Sequence, residues 1–126
     1  MATIAEVSEK YAISADTLRY YERIGLLPPV PRTSGGVRNY GEHECNWIEF
    51  AKCMRGAGIP VEALIDYVQL FQQGDDTAEE RRNILIEQRA LLMERISEMQ
   101  KTLEKLNYKI DIFYGKMLNC EKKLKQ

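Results

Sequence analysis

One histidine and three cysteines are all that this chain of 126 residues offers of the side chains that most often carry catalysis or bind soft metals. His43 stands far from Cys120, and no nucleophile elbow, paired metal ligands or Gly-rich phosphate loop after a strand accompanies it. The chain therefore reads as a non-enzyme with no metal and no cofactor. An odd cysteine count argues against a disulfide framework and for a reducing compartment. No apolar run approaches the ~20 residues that a membrane span needs. The first twenty residues mix Glu, Lys and Arg into the apolar positions, which is unlike a secretory signal. These absences lead to the expectation of a soluble, cytoplasmic protein without a membrane partner. An excess of one charge is missing too: the formal net charge is −1, so overall charge gives no support to nucleic-acid binding. The length and a hydrophobic fraction of 44% suffice for one modest core plus an extension.

The most informative segment runs from Ser14 to Tyr40, SADTLRYYERIGLLPPVPRTSGGVRNY. Ser14 is a good N-cap, and Asp16 falls in the first turn, where the helix dipole favours an anion. Leu18, Tyr21 and Ile24 form an apolar stripe, and Gly25 with Pro28 and Pro29 ends the helix. Just upstream, Thr3 and Glu6 make a capping box, with Ile4, Val7 and Tyr11 on one apolar face. Two short helices about three residues apart make a helix-turn-helix, whose second helix enters the major groove with its early residues nearest the bases. Thr17, Arg19 and Tyr20 lie off the stripe or at its edge, and are the candidate readers, with Ser14 beside them. Arg can fork onto guanine or a phosphate, and Tyr can donate one hydrogen bond to a phosphate.

Beyond the prolines, Arg32 to Tyr40 holds a Gly-Gly turn between two short arms, which suits a small hairpin, or wing, carrying Arg32 and Arg38. From residue 19 to 40, Arg19, Arg23, Arg32 and Arg38 face a single acid, Glu22. The basic character that DNA demands is thus local.

Residues 42–58 read as a third helix with Cys45, Ile48, Ala51 and Met54 on its apolar face and Gly58 at its end. Pro60 suits the first position of a fourth, which buries Val61, Leu64, Ile65, Val68 and Phe71. Thr77 and Glu80 make a further capping box. From there Leu92, Ile96, Met99, Leu103, Leu106, Ile110, Phe113, Met117, Cys120 and Leu124 follow one another by alternating steps of four and three. That is a heptad seam, with Ile96, Leu103, Ile110, Met117 and Leu124 at a positions and the others at d. A lone helix cannot bury it, and the simplest partner is the same helix of a second chain. Gly115, lower in helix propensity than Ala by ~1 kcal/mol, is where the seam is weakest and where the tail has its opportunity to fold back. The fold expected is all-α with a small β wing. A winged helix-turn-helix domain over residues 1–75 is followed by a long coiled-coil dimerisation helix and short tail over residues 76–126.

LRYYERIGLLPP, then RNY, then IEFAKCMRGAGIPVEALIDY resemble the N-terminal domain of the MerR family of bacterial transcription regulators, through roughly residues 2–70. The resemblance implies a homodimer on a near-palindromic, inverted-repeat promoter site, with Thr17, Arg19, Tyr20, Arg38 and Tyr40 on DNA. It also implies antiparallel packing of the long helices and a distortion of the promoter that RNA polymerase can use. FAKCMRGAG resembles the NmlR/AdhR-like branch, in which a reactive cysteine at the place of Cys53 responds to aldehydes or thiol stress. Lys52 and Arg55 flank Cys53, and cationic neighbours favour a thiolate, whereas Glu49 opposes it. Three alternatives stay open: a regulator of this type without cysteine-based sensing, a metal sensor, and a coiled-coil interaction module that binds no DNA.

Overall fold

Side-chain caps set the first two helices. In α1 (Ile4–Tyr11) the Glu6 amide donates to the Thr3 hydroxyl at 3.2 Å, while the Glu6 carboxylate accepts from the Thr3 amide at 3.4 Å. In α2 (Ala15–Ile24) the Thr17 amide donates to the Ser14 hydroxyl at 3.1 Å. Gly25, at φ 85°, ends α2 in a left-handed turn closed by the Leu26 amide on the Tyr21 carbonyl at 2.9 Å. Ala12 to Ser14 form the turn between the two helices, with Ala12 itself left-handed at φ 54°. This computed structural model describes residues 2–125, apart from the side chains of Cys120, Glu121, Lys123 and Lys125. The seam position assigned to Cys120 therefore falls outside the described residues.

Helix α3 (Glu42–Gly56) stops two residues before the expected glycine. Gly58, at φ 84°, instead shapes the turn after it, and the Ile59 amide closes that turn on the Met54 carbonyl at 3.0 Å. Helix α4 (Val61–Gln73) takes Pro60 as its capping residue rather than its first helical one. Val7, Tyr11, Leu18, Ile48, Ala51 and Leu64 meet in the core between these four helices. Leu26, Leu27, Val30, Tyr40 and Ile59 join them from the connecting segments. At ~1.5–3 kcal/mol for each large apolar side chain buried, this core is what mounts α2 rigidly on its neighbours.

The wing is a hairpin of minimal size. Arg32 and Arg38 form an antiparallel bridge, the Thr33 amide donates to the Val37 carbonyl at 2.8 Å, and the Gly36 amide donates to the Thr33 carbonyl at 2.9 Å. Ser34 and Gly35 occupy the turn, and Gly36 takes the left-handed position at φ 82°. Such a three-residue loop needs one glycine in that place, which Gly36 supplies. A second bridge joins Ala2 to Tyr40, so the chain start is paired to the far end of the wing.

Thr77 does not stand as the capping residue that its spacing from Glu80 suggests. Its hydroxyl is directed at the Leu70 carbonyl (2.6 Å) and the Gly74 carbonyl (2.7 Å), and it accepts from Arg81 Nε at 3.2 Å. Asp75–Thr77 form a 3-10 turn, and Thr77 is buried against the end of α4. Helix α5 (Ala78–Tyr108) comes next, then a π-helical segment at Lys109–Phe113 and α6 (Tyr114–Lys125). Gly115 lies inside α6, so no break occurs there, and the irregularity falls just ahead of it. A π segment fits an extra residue into a turn and rotates the side chains downstream of it relative to those upstream.

Packing divides the chain into two units, Met1–Gln88 and Arg89–Gln126. Residues 78–88 belong with the first unit. Thr77 and the stacking of Arg81 on Phe71, 5.5 Å from the ring centre, fasten the start of α5 to α4. In the second unit Ile96, Met99, Leu103, Leu106, Ile110, Phe113, Met117 and Leu124 are all exposed. Among the described residues no helix is long and apolar enough to cross a membrane.

Candidate nucleic-acid interface

The exposed face of α2 is set by the burial of Leu18, which fixes the helix rotation. Arg19 and Tyr20 then project outward, Tyr20 at 47% exposure, with Thr17 half-buried. The Ser14 hydroxyl donates to the Thr17 hydroxyl at 2.8 Å, which ties the cap to the first turn. Arg19 Nη1 meets Asp16 Oδ1 at 3.0 Å. One turn on, the Arg23 guanidinium stacks on Tyr20, 5.3 Å from the ring centre.

Glu22 joins α2 to the wing. Its carboxylate accepts from the Val30 amide at 2.9 Å and from Arg38 Nε at 2.6 Å, with both side chains of the ion pair largely buried. Burial works to raise the Glu22 carboxyl, but the Val30 amide and the Arg38 guanidinium outweigh it and hold the group below its ordinary value. Because the bond to Glu22 uses Nε, the terminal nitrogens of Arg38 lie outside it. In the other arm, Arg32 Nη1 donates to the Gly36 carbonyl at 2.7 Å, which braces the turn against the arm.

The structure thus brings Ser14, Thr17, Arg19 and Tyr20 together on α2, and Arg32 and Arg38 on the wing. Tyr40 stands apart from them. Only 1% of it is exposed, it is among the largest fully buried side chains, and its hydroxyl has no hydrogen-bond partner among the described residues. Burial raises its phenol above the ordinary value. Pairing with Ala2 holds this residue in the core. Three further residues touch the candidate side chains: Asp16 meets Arg19, Glu22 meets Arg38, and Arg23 stacks on Tyr20. The i, i+3 spacing of Asp16 and Arg19 is a visible signal; the contact of Glu22 with a residue sixteen positions on is not.

Cys53 is exposed on α3, and its thiol is free. Its cationic neighbours are anchored to backbone: Lys52 Nζ donates to the Tyr11 carbonyl, and Arg55 Nη1 donates to the Ile59 carbonyl at 2.8 Å. Glu49 accepts from the Tyr11 hydroxyl at 3.2 Å. Burial first, then the neighbouring Cys45 and Glu49, push the Tyr11 phenol up to about 12, so it stays a neutral donor. Cys45 is half-buried beside it, packed on the core. Among the described residues no cluster of His, Cys, Asp or Glu is placed to hold a metal ion.

A capped second helix projecting Arg and Tyr, a small basic hairpin locked to it, and a helix with an uncovered heptad seam define a winged helix-turn-helix regulator. Two family patterns match the chain: MerR HTH family regulatory protein over residues 2–70, and MerR, DNA binding, over residues 46–108. The chain belongs to the MerR family, whose members are transcriptional regulators rather than enzymes. It is 54% identical over 91 residues to the HTH-type transcriptional regulator AdhR of Bacillus subtilis, a stretch that spans 72% of this chain and 65% of that protein. A MerR family regulator from Listeria monocytogenes shares its fold with a TM-score of 0.93 and 46% identity, covering 99% of this chain and 95% of that one. HiNmlR, a MerR family regulator lacking the sensor domain and solved bound to promoter DNA, matches with a TM-score of 0.81 and 34% identity over 90% of each chain. These likenesses set the chain in the NmlR/AdhR-like branch.

Proposed function

We propose that two copies of this chain, joined through their long helices, occupy an inverted-repeat promoter site and respond to electrophile, aldehyde or thiol stress through Cys53. The observation that carries the DNA-binding part is the Glu22 clamp. It makes one rigid unit of α2, with Thr17, Arg19 and Tyr20, and the wing, with Arg32 and Arg38. A helix N-terminus suits base edges, while hairpin arginines suit phosphates. Ser14 caps the helix and keeps its first turn in register for the groove.

The case for a second copy is the exposed seam. Alone, the chain leaves Ile96, Met99, Leu103, Leu106, Ile110 and Phe113 in water, and the same row on a partner helix would cover them. Two copies match the two-fold symmetry of an inverted repeat. Smooth bending of a 20–30 bp site costs ~1–6 kcal/mol, which added contacts can offset, so promoter distortion in favour of RNA polymerase is within reach of such a dimer.

Cys53 is accessible, and it adjoins the residue that ties α3 to α1. When its thiolate adds to an electrophilic carbon, a C–S bond forms and the displaced electron pair is protonated by solvent. The bulk gained on α3 then presses beside Lys52, whose ammonium holds the Tyr11 carbonyl at the end of α1, next to the turn that aims α2. The similarity to AdhR and NmlR supports this reading. Replacing Cys53 by Ala and measuring aldehyde induction of the target promoter tests it. Loss of induction with unchanged basal operator affinity is expected; an undiminished response removes Cys53 from the sensor role.

A further inference from the structure

Asp16 is an odd residue to find where it stands. It is the second residue of α2, in the turn that approaches base edges in a helix-turn-helix, and its side chain is 97% exposed beside Arg19. A carboxylate there is repelled by every phosphate of any duplex, whatever its sequence. An ion pair as exposed as the one with Arg19 adds little to fold stability. Its geometric effect is larger. The bond from Arg19 Nη1 to Asp16 Oδ1, at 3.0 Å, holds one corner of the guanidinium and leaves Nε and Nη2 outside that bond. The bond between the Ser14 and Thr17 hydroxyls fixes the same turn from its other side.

We propose that Asp16 is a specificity-determining positioning residue for DNA recognition, resting on the assignment of α2 as the reading helix. It trades affinity for duplexes at large against discrimination among them, in two ways. Restrained by Asp16, Arg19 offers a fixed fork that suits the O6 and N7 acceptors of guanine; released, it swings to the nearest phosphate, which every sequence supplies. The remaining acceptor capacity of the carboxylate suits an exocyclic amine, such as cytosine N4, and repels an acceptor in the same place. Specificity is a difference of affinities, and an element that weakens the wrong complexes raises it as surely as one that strengthens the right one.

The test compares wild type, Asp16→Ala and Arg19→Ala as full chains. The probes are a duplex selected from a random library on the wild-type protein and a shuffled duplex of equal composition, titrated by fluorescence anisotropy at several salt concentrations. In Asp16→Ala the shuffled duplex should bind several-fold tighter, and its log affinity should fall more steeply with log salt by about one for each arginine that gains a phosphate. The preference for the selected duplex should drop about tenfold, the size of one base contact. A preference that is unchanged, or a loss of affinity equal on both duplexes, as a damaged helix start would give, overturns the proposal. Arg19→Ala separates the two layers of inference. If it binds the selected duplex as wild type does, α2 is not the reading helix; if it loses the preference while Asp16→Ala keeps it, only the role of Asp16 falls.

Discussion

Glu22 accepts a hydrogen bond from Arg38 Nε at 2.6 Å, and so joins α2 to the wing across sixteen residues of sequence. The same carboxylate holds the Val30 amide, so one side chain organises helix, loop and hairpin. Replacing it by Gln leaves the largely buried Arg38 charge without its partner, at a cost of ~1–3 kcal/mol in urea denaturation at neutral pH. The pH dependence has a definite sign. Because the folded carboxyl sits below the ordinary value of 4.5, its stabilisation is complete above that value and is lost as pH falls through the lower, folded one. Wild type should therefore lose more stability than Glu22→Gln on acidification from pH 6 to ~3, a range bracketing the ordinary glutamate value. Parallel stability–pH curves would show that the pair contributes nothing.

Tyr40 makes a contrasting case. Its ring fills the core while its buried hydroxyl lacks a partner among the described residues, so removing that oxygen sacrifices no hydrogen bond seen in the fold. Tyr40→Phe should leave unfolding stability unchanged within ~0.5 kcal/mol or raise it, and should leave DNA affinity as it was. A tenfold loss of affinity would mean that the hydroxyl reaches a phosphate after all.

The heptad seam predicts an oligomeric state. A lysine in place of Leu103 or Leu106 puts a charge into the middle of the row that a partner helix would bury. In sedimentation equilibrium the wild-type chain should run at twice 14.6 kDa, and the variants at that mass, with the helix-turn-helix still folded by circular dichroism. Variants that stay paired would locate the interface elsewhere.

Much of the fold could be read in the sequence because it is written in short-range pairs. Thr3 with Glu6, Ser14 with Thr17 and Gly25 at its helix end are interactions within one turn, and the seam is a periodicity. Less was legible where a polar group found its partner through the tertiary fold. By sequence alone Glu22 is a single acid in a basic stretch, Tyr40 an aromatic at the end of a basic hairpin, and Thr77 a residue with capping-box spacing. Each is decided by a neighbour brought in from a distance: Arg38, Ala2 or Leu70. The π segment at Lys109–Phe113 shows the same limit, for the heptad steps run through it without interruption while the backbone does not.

The most direct measurement is the stoichiometry and salt dependence of binding to a duplex selected on the protein itself. Two chains per duplex are expected, with a marked preference over shuffled sequence. In Arg32→Ala affinity should fall by a similar factor on both duplexes, and the salt slope should shrink by about two, one phosphate contact for each copy. A single chain per duplex, or equal affinity for selected and shuffled DNA at low salt, would contradict the account.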